Sequence, residues 1–323
     1  MSKEEIAAPA ERPVRSGVDK PTVALALGAG GAKGLAHIGA IEEIEAQGFQ
    51  IVAIAGSSMG ALIGGIHAMG KLDVYRDWVC ALARFDVLRL VDWTFSGGGL
   101  IKGERIIGTL RDMIGDTQIE ELPMLFTAVA TDLDRGREIW LSRGNLFDAI
   151  RASIAVPTVF RPHHVAGRRL VDGALLNPVP VTPLIRSEAD YVLAVSVDGP
   201  AETIAPAPVE SEIDSETGSQ GASETSYRHR IGEFISRLVP HGDSQPREPG
   251  TLETLNQAMD LMQANLSRLR LAAYEPDLLI ELPRNVASAY EFYRARELIE
   301  RGRTQARKAL AEWPRSGAPV RSE

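Results

Sequence analysis

Two apolar runs, residues 23–27 (Val-Ala-Leu-Ala-Leu) and 51–55 (Ile-Val-Ala-Ile-Ala), each break abruptly into a glycine-rich turn. The first meets Gly28-Ala29-Gly30-Gly31-Ala32-Lys33-Gly34, the second Gly56-Ser57-Ser58-Met59-Gly60. Short apolar runs bounded by turn residues read as buried strands. A helical pattern follows each turn: over 32–47 apolar residues recur at Leu35, Ile38, Ile41 and Ile44 with glutamates opposite, and a second helix is expected over 59–69. Further strands are expected at 125–130, 138–141, 191–197 and 277–282, with helices at 73–84, 106–114, 252–274 and 289–313. This alternation implies an α/β fold with a mostly parallel sheet, in which ligands bind at the carboxyl ends of strands. Both glycine turns lie at such ends.

The second turn reads as a nucleophile elbow. A strand that runs directly into a helix needs glycines on either side of the turn residue, because side chains there would clash, so Ser58 is the candidate nucleophile and Ser57 a turn residue. G-x-S-x-G is short and recurs by chance. The first turn opens a helix, where backbone N–H groups converge on an anion. A Walker loop needs Gly-Lys-Ser/Thr in that order, whereas here Lys33 precedes Gly34 and Leu35 follows. A dinucleotide fingerprint needs Gly at position 33 and an acidic residue ending the second strand, which ends in Gly56-Ser57 instead. An oxyanion hole accounts for both turns with one reaction, acyl transfer. Lys33 is either a solvated lysine at a helix start or a group that steers an anionic head group.

A serine hydroxyl needs a general base, and the histidines offer no obvious one. His37 and His67 fall in predicted helices, His163 and His164 in a predicted loop, and His229 and His241 in a low-complexity stretch. Asp172 is better placed, ending the apolar run of Leu170-Val171 beside Gly173. Two readings stay open for it: an Asx turn, common for Asp-Gly, or a buried base whose pKa is lifted above the ordinary value near 3.9.

Three ordered blocks, Gly28 to Gly34, Gly56 to Gly60 and Asp172-Gly173-Ala174, resemble the patatin-like phospholipases. Arg151-Ala-Ser-Ile-Ala-Val-Pro157 and Asn177-Pro178-Val179-Pro180 extend the likeness, which spans about residues 22–198. The resemblance implies a three-layer α/β sandwich of the patatin/lysophospholipase type. It also implies a Ser-Asp dyad that cleaves lipid acyl esters without metal or cofactor. Carried over, Ser58 is the nucleophile, Asp172 the base, and the amides of Gly30, Gly31 and Ala32 the oxyanion hole. Gly28, Lys33, Gly34, Gly56, Gly60 and Gly173 support the motifs. Three function classes follow: an acyl-ester hydrolase, an acyltransferase using the same acyl-enzyme, and a non-catalytic lipid-binding protein.

The remaining composition bounds the setting. With 323 residues and 44% hydrophobic content, one large core with appendages is expected, and the single Cys80, read as a small core residue, forms no intrachain disulfide. A net charge of −8 argues against nucleic-acid partners and against strong attraction to anionic membranes, so contact with a lipid substrate or a peripheral membrane surface is expected to be hydrophobic. Residues 1–20 lack the apolar centre of a secretory signal and read as a flexible tail, so a cytoplasmic, peripherally associated location is expected. The stretch 51–70 lacks Asp, Glu, Lys and Arg, which leaves a membrane helix as a second reading of the same glycines. The catalytic core is assigned to 21–199. A low-complexity, disordered insertion is expected over 200–250, where Phe234, Ile235 and Leu238 offer a short amphipathic element, and completing helices and a strand over 251–313 precede a tail at 314–323. The glycine-rich loop 96–103 is either a lid or a connection.

Overall fold

Side-chain size alternates along the first strand, and that alternation sorts the layers. The computed structural model describes residues 20–82, 103–157, 159–202 and 251–313. Its eight strands are β1 (Thr22–Leu27), β2 (Gln50–Ser57), β3 (Leu125–Asp132), β4 (Arg137–Leu141), β5 (His163–Val165), β6 (Arg168–Asp172), β7 (Tyr191–Gly199) and β8 (Leu278–Pro283). The helices are α1 (Ala36–Ala46), α2 (Met59–Ala68), α3 (Leu72–Ala81), α4 (Glu104–Ile114), α5 (Leu146–Ser153), α6 (Thr251–Ala273) and α7 (Ala295–Glu312). Val23, Leu25, Leu27 and Ile54 join the large cluster formed with α1, α2 and α7, while Ala24, Ala26, Ala53 and Ala55 face a thinner layer of Val179, Val181, Leu184 and Leu271. Helices on one face and a loop with α6 on the other make the expected layered α/β fold. The small residues let the second layer approach the sheet closely.

Strand order is β5-β6-β3-β2-β1-β7-β8, with β4 also on β3. The centre is parallel, β3 to β2 to β1 to β7 to β8, whereas β4 and β6 pair antiparallel with β3, and β5 with β6. Both central strands are buried almost throughout, as apolar runs without polar alternation require of a sheet covered on two faces. The hairpin of β5 and β6 corrects the loop expected at His163 and His164: its pattern is half-exposed and mixed, so periodicity gave it no signal.

Two further elements differ from expectation. The first helical turn after the glycine loop is a 3-10 turn, Gly31–Leu35, before α1 begins at Ala36. The closing helix starts at Ala295 after a 3-10 turn at Phe292–Arg294. Part of its charge is not merely solvated, because Arg303 and Arg307 reach Glu42 and Glu43 of α1 at 2.6 and 2.8 Å. Most of the stretch 51–70 forms β2 and α2, and Gly56 and Gly60 serve the strand-to-helix turn between them. Among the described residues no helix is long and apolar enough to cross a membrane. The segments 1–19, 83–102, 203–250 and 314–323 lie outside the described residues, and with them the expected tails, most of the 96–103 loop, His229, His241 and the 234–238 element.

Candidate active site

β3 brings the two halves of the site together. Ser57, the last residue of β2, pairs with Val129, and Asp172, the last residue of β6, pairs with the next residue, Ala130. The turn at Ser58 and the Asp172 carboxylate therefore flank the same end of one strand. Ser58 has φ 55° and ψ −121°, left-handed for a residue with a side chain, which costs about 1–3 kcal/mol unless the surroundings impose it. They do so with buried bonds. The Ser58 N–H donates to Ser153 Oγ (3.0 Å), Ser153 Oγ donates to the Val129 carbonyl (2.6 Å), and Ser57 Oγ donates to the Asn177 carbonyl (2.6 Å). Gly60 is required by close approach: a Cβ there would stand 2.1 Å from the Leu27 carbonyl oxygen. The absence of a side chain at Gly60 lets the elbow seat against the end of β1, where the glycine loop begins.

Asp172 is buried, and both readings of it apply at once. Oδ1 accepts the Ala174 N–H (2.8 Å), which is the Asx turn, while Oδ2 has no hydrogen-bond partner among the described residues. Burial lifts the carboxyl to about 6, against the lowering effects of the nearby Ser58 hydroxyl and the Ala174 amide. The Ser58 hydroxyl is close enough to act on the carboxylate, yet no bond of ordinary geometry joins it to Oδ2. Such contacts often tighten only when substrate is bound. Gly173 fixes the carboxylate's approach, since a Cβ there would lie 2.2 Å from the Val129 carbonyl oxygen.

Donors in the glycine loop are fewer than the motif suggests. The Ala32 N–H donates to the Ala289 carbonyl (2.9 Å), which removes Ala32 from the expected oxyanion donors. The N–H groups of Gly30 and Gly31 have no partner among the described residues, nor does that of Met59, which follows the elbow serine. Met59 was legible in principle, since the residue after an elbow nucleophile is an orphan helix-start donor. Gly34 lies against the Met59 side chain, joining the loop to the start of α2. Lys33 departs from both expectations: its ammonium is nearly buried, 3.2 Å from Asp198 Oδ1, so it is neither solvated nor free to meet a head group.

His37 and His67 are buried neutral imidazoles. Burial lowers both to about 4, and the His37 Nε2 donates to the Gly28 carbonyl at 2.7 Å, holding the glycine loop down. Among the described residues no cluster of His, Cys, Asp and Glu could hold a metal. Ser153 and Asn177 lie in the blocks that extend the family likeness, and sequence patterning gave them no part because they support the elbow only through contacts across the sheet.

A family model, patatin-like phospholipase, matches residues 25–185. An uncharacterised NTE family protein of Mycobacterium tuberculosis (strain H37Rv) is 40% identical over 94% of this chain and 95% of its own. Lysophospholipase nte1 of Emericella nidulans is 28% identical over 54% of this chain and 12% of its own length. Neuropathy target esterase sws of Drosophila melanogaster is 26% identical over 56% and 13%. Among solved structures, VipD from Legionella pneumophila gives a TM-score of 0.44 at 14% identity, covering 91% of this chain and 67% of that one.

Proposed function

Because this chain belongs to the patatin-like phospholipase family, we propose that it is a serine acyl hydrolase that cleaves phospholipid or lysophospholipid esters through Ser58 and Asp172. The observation that carries this reading is a buried carboxylate lifted to about 6, with an unpartnered Oδ2, beside a serine held in a left-handed turn. Asp172 Oδ2 takes the proton from Ser58 Oγ as that oxygen attacks the ester carbonyl. The oxyanion is met by the amides of Gly30, Gly31 and Met59, each such donor contributing about 3–4 kcal/mol to the transition state. Asp172 returns its proton to the departing alcohol, and a water activated by the same carboxylate then releases the fatty acid. An aspartate at its ordinary pKa would be a weak base, and the burial corrects that deficit.

Activity-based labelling with a fluorophosphonate, followed by hydrolysis of lysophosphatidylcholine, tests the reading. Label is expected on Ser58, and Ser58→Ala and Asp172→Asn are each expected to lose at least about 10³-fold in turnover while staying folded. Full turnover in either variant refutes the dyad. Acyl transfer to an added alcohol, without free fatty acid, would instead favour the acyltransferase chemistry of the same acyl-enzyme.

A further inference from the structure

Residues 176–178 join three parts of the site. The Asn177 carbonyl accepts the Ser57 hydroxyl of the elbow (2.6 Å), the Pro178 carbonyl accepts the Ala29 N–H of the glycine loop (2.9 Å), and the Asn177 N–H donates to the Gly173 carbonyl beside Asp172 (2.9 Å). Nucleophile, oxyanion loop and base therefore share one short stretch of main chain. That stretch runs between two 3-10 turns, Gly173–Leu175 and Thr182–Leu184, and belongs to no strand or helix, so no ladder of bonds holds it. Backbone of this kind keeps its place only where other groups tie it down.

Two charged side chains supply such a tie. Arg270 of α6 donates from one nitrogen, Nη2, to both the Leu176 carbonyl (2.9 Å) and Glu138 Oε2 (3.2 Å). Glu138 of β4 accepts the Asn177 Nδ2 on its other oxygen (3.0 Å), where the Trp140 indole N–H also donates. Asn177 is 1% exposed, so its side-chain amide has no water to replace a lost acceptor. One turn earlier on α6, Ser267 Oγ donates to Asp198 Oδ2 (3.3 Å), whose other oxygen pairs with Lys33, so the helix keeps a second anchor when Arg270 is changed. Neither Glu138 nor Arg270 sets the charge of the base directly. The Asp172 carboxyl is governed by burial, the Ser58 hydroxyl and the Ala174 amide.

We propose that Glu138 and Arg270 are positioning residues: through the Leu176 carbonyl and the Asn177 side chain they hold Ser58, Asp172 and the glycine loop in one register. The catalytic consequence rests on the acyl-hydrolase reading; the mechanical link does not.

The test pairs steady-state kinetics on a water-soluble nitrophenyl ester with amide hydrogen exchange, in the full chain and its Arg270→Met, Arg270→Lys and Glu138→Ala variants. Arg270→Met and Glu138→Ala should each lose about tenfold in kcat with KM within about twofold, because misplaced groups weaken the transition state more than substrate binding. A loosened turn admits water to Asp172, so the acid limb of kcat/KM should move about one pH unit below the wild-type midpoint. A lysine ammonium can make both bonds that leave Nη2, so Arg270→Lys should regain most of the loss. In the two losing variants the amides of Ala29, Ala174, Leu176 and Asn177 should exchange about tenfold faster, as a group.

Unchanged kcat overturns the proposal. So does activity that falls only in step with Tm while the acid limb stays in place, since a merely structural tie changes how much protein is folded and not the site within it. Arg270→Lys no better than Arg270→Met, or exchange that quickens at Leu176 and Asn177 but not at Ala29 and Ala174, overturns it too. Arg270 is partly exposed, so Arg270→Met carries the test if Glu138→Ala does not fold. Wild type that neither cleaves the ester nor takes fluorophosphonate at Ser58 sinks the hydrolase reading instead, and the exchange measurement, which needs no turnover, still decides the link.

Discussion

Replacing Asp172 by Asn should remove a loss of stability that sets in as pH rises toward neutral, while abolishing activity. A carboxyl held at about 6 in the native state, against 3.8 when exposed, destabilises the ionised native form by about 3 kcal/mol at 1.36 kcal/mol per pH unit. Because the folded state holds this proton more tightly than the unfolded one, stability is greatest below about pH 4 and falls as pH rises through the window to about 6. Asparagine cannot ionise, so that fall is absent from the variant. Its Oδ1 can still accept the Ala174 amide, and the amide nitrogen at the Oδ2 position lacks an acceptor at every pH. That second cost, about 1–3 kcal/mol, cancels when the two proteins are compared at two pH values. Urea unfolding of both proteins at about pH 4 and about pH 7.5 should show wild type losing about 2–3 kcal/mol relative to the variant between them. Parallel stability profiles would falsify the account, since they would mean that the Asp172 carboxylate is as comfortable in the fold as in water.

Two more predictions follow from the same contacts. On a soluble ester, kcat/KM should fall about tenfold per pH unit below the Asp172 value of about 6 and stay level above it; a profile flat across that value would remove Asp172 as the base. Ser153→Ala leaves the buried Ser58 N–H without its acceptor, so denaturant unfolding should register a loss of about 1–3 kcal/mol, and fluorophosphonate labelling of Ser58 should slow. Unchanged stability and labelling would show that the elbow holds its shape without that bridge.

The elements that run on local signals were legible in the chain. Residues 23–27 and 51–55 are apolar because both faces of the central strands are covered, and the glycines around Ser58 mark a turn whose crowding is visible before any partner is known. The antiparallel edge was not legible, because β5 and β6 are short, half-exposed strands whose pairing is decided by β3 rather than by their own pattern. Lys33 is instructive in the same way: a lysine opening a helix reads as solvated, and only the fold sets Asp198 beside it and α6 over both.

Nothing in the spacing of Ser58 and Asp172 says that they meet, and the motif alone could not exclude Ala32 as an oxyanion donor. The chain by itself determined which residue types stand at the turns and that the turns end buried strands, since these follow from steric limits and hydrophobic pattern a few residues long. Only the tertiary structure decided which carboxylate faces the serine, which amides remain free and which helix face turns to solvent. Those depend on strand register and on burial, which are properties of contacts between segments far apart in the chain.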